Sequence, residues 1–167
     1  WDSYYEMLRG QSVDCAARHR DWHSLPEHII GEIDDFLPSP EELVERRNRP
    51  VLLHGDLTAD HILVAHDGTG WKLRAIIDYG DALVGDPLYE LIALHLDLFR
   101  YDKGQLREYL QAYGRQGPIG GETARKLLSL CLLFPFNAFH DYFVHNPAAS
   151  ATTSLEELAD QLWSFVA

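Results

Sequence analysis

The stretch that decides the fold is Val51-Leu52-Leu53-His54-Gly55-Asp56-Leu57-Thr58-Ala59-Asp60-His61-Ile62-Leu63-Val64, followed by Ile76-Ile77-Asp78-Tyr79-Gly80-Asp81. Val51-Leu52-Leu53 reads as a short buried strand. Ile62-Leu63-Val64 and Leu73 to Ile77 read as two more, joined through Asp67-Gly68-Thr69-Gly70, a turn signal of the aspartate-glycine type. A hairpin there brings two acidic loops to the same edge of a small sheet. The first offers Asp56 and, five residues on, the imidazole of His61. The second offers Asp78, close to Gly80. A catalytic carboxylate next to a divalent-ion site is what phosphoryl transfer needs, because the protein's task there is to place the nucleophile and neutralise phosphate charge.

Outward from this stretch the pattern is helical. Trp1 to His19 predicts one helix, with Tyr4, Tyr5, Leu8 and Cys15 as apolar positions. Glu27 to Phe36 predicts a second, with Ile29, Ile30 and Ile33 inward. Ser39-Pro40-Glu41-Glu42 is a helix start that should run to about Arg47. After Pro87, helices are expected over Leu88 to Phe99, Gln105 to Tyr113, and Thr123 to Val144 with a kink at Pro135. Ser154 and Glu157 form a capping-box pattern for a last helix ending near Phe165. The fold class is therefore α+β, mostly helical, with leading helices over 1–49, the loops over 50–87 and a helical part over 88–167.

The 167 residues suit one domain, and 14 basic against 26 acidic residues give a net charge of −12. That balance argues against a nucleic-acid or anionic-membrane surface and suits a small-molecule partner, including a cationic one. Cys15 and Cys131 sit far apart in apolar, helical contexts and read as buried free thiols in a reduced compartment. The apolar run Leu127 to Phe136 is too short to span a bilayer, no signal peptide is visible, and the expected location is cytoplasmic. The chain opens on Trp1 rather than methionine, which points to a piece of something longer.

The loops resemble those of the aminoglycoside phosphotransferase family, whose fold is like that of protein kinases. The family's first motif, His-Gly-Asp-x-x-x-x-Asn, corresponds to His54-Gly55-Asp56-Leu57-Thr58-Ala59-Asp60-His61, with histidine in place of asparagine. Its second, Ile-Asp-Phe/Trp-Gly, corresponds to Ile77-Asp78-Tyr79-Gly80. Gly85-Asp86-Pro87 resembles the turn that leads into the next helix. The resemblance implies the C-terminal lobe of a kinase-like fold. The Gly-rich strand pair and strand lysine of the nucleotide lobe have no counterpart here, so the chain alone should show little or no activity.

By that resemblance Asp56 accepts the proton of the attacking hydroxyl, and Asp78 with His61 binds a divalent ion. The ion would be Mg²⁺, with Mn²⁺ an alternative because imidazole is a softer ligand, and the donor ATP or GTP. His54 and Asp86 would support the site, Asp86 by accepting backbone N–H groups from the first loop or by capping the helix at Pro87. Asp60, Asp81 and Asp141 are candidate contacts to a cationic acceptor, with His140 and His145 beside the last of these. The phenylalanines at 134, 136, 139 and 143, with Tyr142, read as core.

The implied activity is transfer of a phosphoryl group from ATP to a hydroxyl of an aminoglycoside-like or other small molecule, as in antibiotic modification. A non-catalytic kinase-like binding module is the alternative, suggested by His61 and the missing nucleotide lobe. A metal-dependent hydrolase is a third reading, from a loose similarity of His54-x-Asp56 and Asp60-His61 to the histidine-rich loop of the metallo-β-lactamase superfamily.

Overall fold

The computed structural model describes residues 1–115, 117–139 and 141–165. Five helices lead: α1 (Asp2–Ser12), α2 (Cys15–Trp22), α3 (Glu27–Ile30), α4 (Ile33–Phe36) and α5 (Pro40–Leu43). Strands β1 (Val51–Leu53), β2 (Ile62–His66), β3 (Trp71–Ile76) and β4 (Leu83–Gly85) come next. The chain then runs through α6 (Leu91–Ala93), α7 (Lys103–Ala112), α8 (Gly121–Leu133), α9 (Tyr142–His145) and α10 (Leu155–Trp163). The result is a mostly helical α+β protein with two small antiparallel sheets, β1 with β4 and β2 with β3.

Helix α8 is the centre of the core. Ala124 and every residue from Leu127 to Leu133 are buried, as the apolar second half of the helix requires, with Ser129 Oγ–H satisfied by the Arg125 carbonyl at 3.0 Å. α10 packs along it through Leu155, Leu158, Ala159, Leu162 and Trp163. The last carbonyls of α8 have no intrahelical partner, and α2 supplies them. Cys15 Sγ, Arg18 Nη2 and His19 Nε2 converge on the Leu132 carbonyl, at 3.3, 3.2 and 2.9 Å. Both cysteines are buried free thiols.

Several helices differ from those the sequence predicts. The helix expected over residues 1–19 breaks after Ser12, with Val13 extended and Asp14 left-handed, and this turn swings α2 under the end of α8. The one expected over 27–36 divides at Gly31. The one started by Ser39 has its capping box with Glu42 but stops at Leu43. Val44 turns extended, and its carbonyl accepts the Tyr5 hydroxyl at 2.8 Å. The helix expected over 123–144 stops at Leu133 rather than kinking. Phe134 precedes Pro135 and is extended (ψ 135°), because the proline ring disfavours the α conformation before it. The segment expected as one helix over 88–99 changes pitch: a 3₁₀ turn at Pro87–Glu90, then α6, then a π turn at Leu94–Leu98.

The hairpin β2–β3 has the expected place, with Ile62 opposite Ile76 and a bulge between Leu63 and Val64. Strand β4 is an addition to the expected elements. It pairs Gly85 with Val51 and Leu83 with Leu53. Gly85 has no room for a side chain, since a Cβ there would lie 2.5 Å from the Tyr4 ring. Among the described residues, no helix is long and apolar enough to cross a membrane.

His95 gives the fold a testable acid sensitivity. It is buried, and its Nε2–H donates to the Leu162 carbonyl at 2.9 Å while Nδ1 is buried with no partner. Desolvation pushes its pKa down to about 4, and His19 is lowered for the same reason. The folded pKa lies below the unfolded value of about 6.5, so the unfolded chain takes up the proton first. Stability is therefore full above about pH 6.5 and declines as pH falls toward 4, His95 alone accounting for about 3 kcal/mol. Urea unfolding across this range should show a clearly shallower pH slope in His95→Gln than in the unsubstituted chain.

Candidate active site

The two acidic loops meet. His54 begins the first, and its backbone N–H donates to Glu90 Oε2 at 2.7 Å. Its ring Nε2–H donates to the Ile77 carbonyl at 2.8 Å, one residue ahead of Asp78. The ring also packs on Tyr79 at 4.6 Å and stacks near His61 at 5.5 Å. His54 thus joins loop to loop and both to the helical segment beneath. Gly55, at φ +85°, passes so close to the second loop that a Cβ would sit 2.2 Å from the Asp81 carbonyl oxygen.

Asp56, His61 and Asp78 come together at this junction. A 3₁₀ turn, Ala59–His61, carries the imidazole back over Asp56. His61 Nδ1 lies 2.7 Å from the Asp56 carbonyl, an acceptor only, so Nδ1 carries the proton. Nε2 is thereby turned to Asp78, 3.8 Å from Oδ2, while Nδ1 is 3.8 Å from the Asp56 carboxylate. The hydrogen bond to the Asp56 carbonyl raises the His61 pKa, with help from the charges of Asp56, Asp78 and Asp60. The two carboxylates live in different surroundings. The Asp56 side chain is 21% exposed against 66% for Asp78. Desolvation, reinforced by Asp81 and Asp97, lifts the Asp56 pKa against the opposing pull of His61 and His54. Asp78 is held in the left-handed region (φ 61°, ψ 64°), a strained choice for a residue with a Cβ.

The remaining candidates divide. Asp60 and Asp81 are exposed, Asp60 on the turn that carries His61 and Asp81 behind Asp78. Asp141 shares a cavity of about 180 Å³ with Asp56, Thr58, Asp97, Tyr101 and Asn137. His145 lines an adjoining cavity of about 290 Å³ with Asp97, Arg100, Tyr101 and Asp141. His140 lies outside the described residues. Phe136 is exposed, unlike buried Phe134, Phe139 and Tyr142, so the aromatic run is only partly core. The expectation that Asp86 accepts first-loop N–H groups is corrected. Asp86 is buried, caps Leu88 N at 2.9 Å and pairs with Lys126 Nζ at 2.8 Å. The first-loop N–H belongs instead to Glu90, which is absent from the candidates the sequence suggests. The signal is nonetheless present, because a carboxylate four residues past Asp86 falls on the next turn and has one more methylene of reach.

A divalent ion fits the pair His61 and Asp78. Histidine ligands characteristically donate their second nitrogen to a carbonyl, as Nδ1 does here to Asp56. An ion such as Mg²⁺ that keeps water and phosphate oxygens needs no more than one or two protein donors. Among the described residues no group of three or more His, Cys, Asp or Glu could hold a metal ion.

Two substitutions test this geometry. Gly55→Ala adds a Cβ against the Asp81 carbonyl at a positive φ. It should cost about 3 kcal/mol or more in urea unfolding. Asp78→Gly relieves the left-handed strain and should raise stability by up to about 1 kcal/mol. The same change should abolish Mn²⁺-induced broadening of the His61 ring resonances.

Among known proteins, the chain is 24% identical over 204 aligned positions to the lysine-specific demethylase JMJ21 of Arabidopsis thaliana. That alignment covers 99% of this chain but spans only 22% of the length of the relative. The model of the phosphotransferase enzyme family matches residues 6–128, well over half of the chain and inclusive of both loops. The chain belongs to the phosphotransferase enzyme family.

Proposed function

We propose that the chain is the C-terminal lobe of a kinase-like phosphotransferase that moves a phosphoryl group from ATP or GTP to a hydroxyl of a small molecule. The observation that carries this is the convergence of Asp56, His61 and Asp78, set by the hydrogen bonds of His54 to both sides. Asp56 is the group that orients the acceptor hydroxyl and takes its proton. Partial shielding raises its basicity, which favours that task at neutral pH. Asp78 and His61 Nε2 hold the divalent ion, Mg²⁺ or Mn²⁺. When bound, the ion neutralises charge on the donor phosphates. His54 keeps the two loops in register, and Glu90 shares that support.

The acceptor enters beside Asp56, through the cavity shared with Asp97, Tyr101 and Asp141. Its carboxylates favour a cationic acceptor, and the resemblance to aminoglycoside phosphotransferases puts aminoglycoside-like alcohols first in a screen. The second wall of the nucleotide cleft comes from outside this chain. Support for this is the hairpin beside the site, where Leu63, Val64, Trp71 and Leu73 stand exposed and Val64 pairs with Leu73. Apolar side chains in such number on one small hairpin mark a surface made to be covered.

A second reading is a kinase-like module that binds without catalysing. It is favoured by the relative in which the matched segment is 22% of a chain named for demethylation. The hydrolase reading finds no support, because His54 Nε2 is committed to the Ile77 carbonyl and its Nδ1 is buried.

Calorimetric titration of Mg·ATP into the natural full-length protein decides between the first two. The phosphotransferase reading expects magnesium-dependent binding that Asp78→Ala abolishes. It also expects Asp56→Asn to keep the nucleotide while turnover drops by about 10²–10⁴-fold. Absence of magnesium-dependent binding would transfer the weight to the non-catalytic module.

A further inference from the structure

The turn that presents His61 to Asp56 is held from outside the two loops. Ala59 opens that turn, and its backbone N–H donates to Asp97 Oδ1 at 2.7 Å. Asp97 lies on the π turn Leu94–Leu98, where Phe99 N–H reaches the Leu94 carbonyl at 2.8 Å, five residues back. A π turn inserts one residue into a helix and rotates the residues after it, and such turns concentrate at functional sites. Here Leu94, His95 and Leu96 are all buried, and Asp97 is the first residue turned outward. His95 anchors the π turn to the core through the Leu162 carbonyl. Immediately after the turn, Arg100 and Tyr101 are both left-handed, at φ 48° and 68°. Two consecutive strained residues without glycine are costly; the Tyr101 N–H donates back to the His95 carbonyl at 2.9 Å, and Tyr101 lines the cavity next to Asp56.

We propose that Asp97 is a positioning residue for Asp56, linking the core through Ala59 and the 59–61 turn to the His61–Asp56 pair. The proposal rests on the reading of Asp56 as the proton acceptor. The chain of contacts is continuous: Leu162 to His95, Asp97 to Ala59, His61 to the Asp56 carbonyl. Asp97 lines the cavity that Asp56 also lines, and the adjoining one that holds His145. An acceptor molecule there would touch the same carboxylate that sets the loop, so occupancy of the cavity and placement of Asp56 are coupled. Because the bond is to a backbone N–H, it asks only for an acceptor oxygen on a side chain of this length. Asparagine keeps that oxygen and alanine does not.

The test uses the isotopically labelled chain without nucleotide, comparing Asp97→Ala, Asp97→Asn and an exposed α7 control, Glu108→Gln. Two signals are read by nuclear magnetic resonance: hydrogen exchange at the Ala59 amide and the Nδ1 resonance of His61. Loss of one net hydrogen bond should speed Ala59 exchange about tenfold in Asp97→Ala. The His61 Nδ1 resonance should move with it, because its bond to the Asp56 carbonyl loosens. Asp97→Asn should restore both signals, and Glu108→Gln should leave them alone. Unchanged Ala59 and His61 signals in Asp97→Ala would overturn the proposal, as would an Asp97→Asn variant that behaves like alanine. Failure of magnesium-dependent ATP binding in the natural full-length protein, alongside the expected Ala59 and His61 changes in this chain, would instead remove the phosphotransfer reading and leave Asp97 as the support of the turn.

Discussion

His54 is the residue on which the geometry of the site depends. Its backbone N–H goes down to Glu90 and its ring N–H goes across to Ile77. Each bond is short and at least partly shielded from water, so neither is readily exchanged for solvent. With His54 tied at both ends, Gly55 has no freedom but to run against the Asp81 carbonyl. Asp56 is next in the chain, and Asp78 is next after Ile77. The distances of 3.8 Å from His61 to each carboxylate are consequences of that one tie and of the 3₁₀ turn after it.

The environment then separates two chemically identical side chains. Asp56 sits in a cavity wall among Phe134, Ile92 and Leu96, while Asp78 stands at a strand end in contact with water. Desolvation lifts the Asp56 carboxyl, one way a protein suits an acid to accept a proton. Family membership supplies the reaction class, and these local surroundings supply the reason each residue suits its proposed part. The identity of the acceptor belongs to the cavity rather than to the fold.

Much of this is legible in the sequence where the signal is local. The hairpin, both loops and the Ser39 cap are written in neighbouring residues, and they occur where expected. The features that escape such a reading depend on distance or phase. Strand β4 is three residues without alternation, and its partner β1 lies more than thirty positions earlier. Asp86 and Glu90 are two acids around one proline, and only side-chain reach decides which meets His54. Asp97 comes to light only with the π turn, because a periodicity of 3.6 assigns faces as though no residue were inserted. The end of α8 is different, since its signal is local. Pro135 forbids the α conformation at Phe134 more firmly than it invites a kink.

The capping of α8 by α2 bears on how the molecule assembles. The Leu132 carbonyl takes its donors from residues 113 to 117 positions away in the chain. Until the N-terminal helices dock, the central helix has a frayed end and nothing to fix the chain direction at Phe134. Closing so long a loop is entropically slow, so the core should condense late and as one cooperative unit rather than helix by helix. Helices α2 and α8 are thus a single folding element, and the two acidic loops are suspended between them.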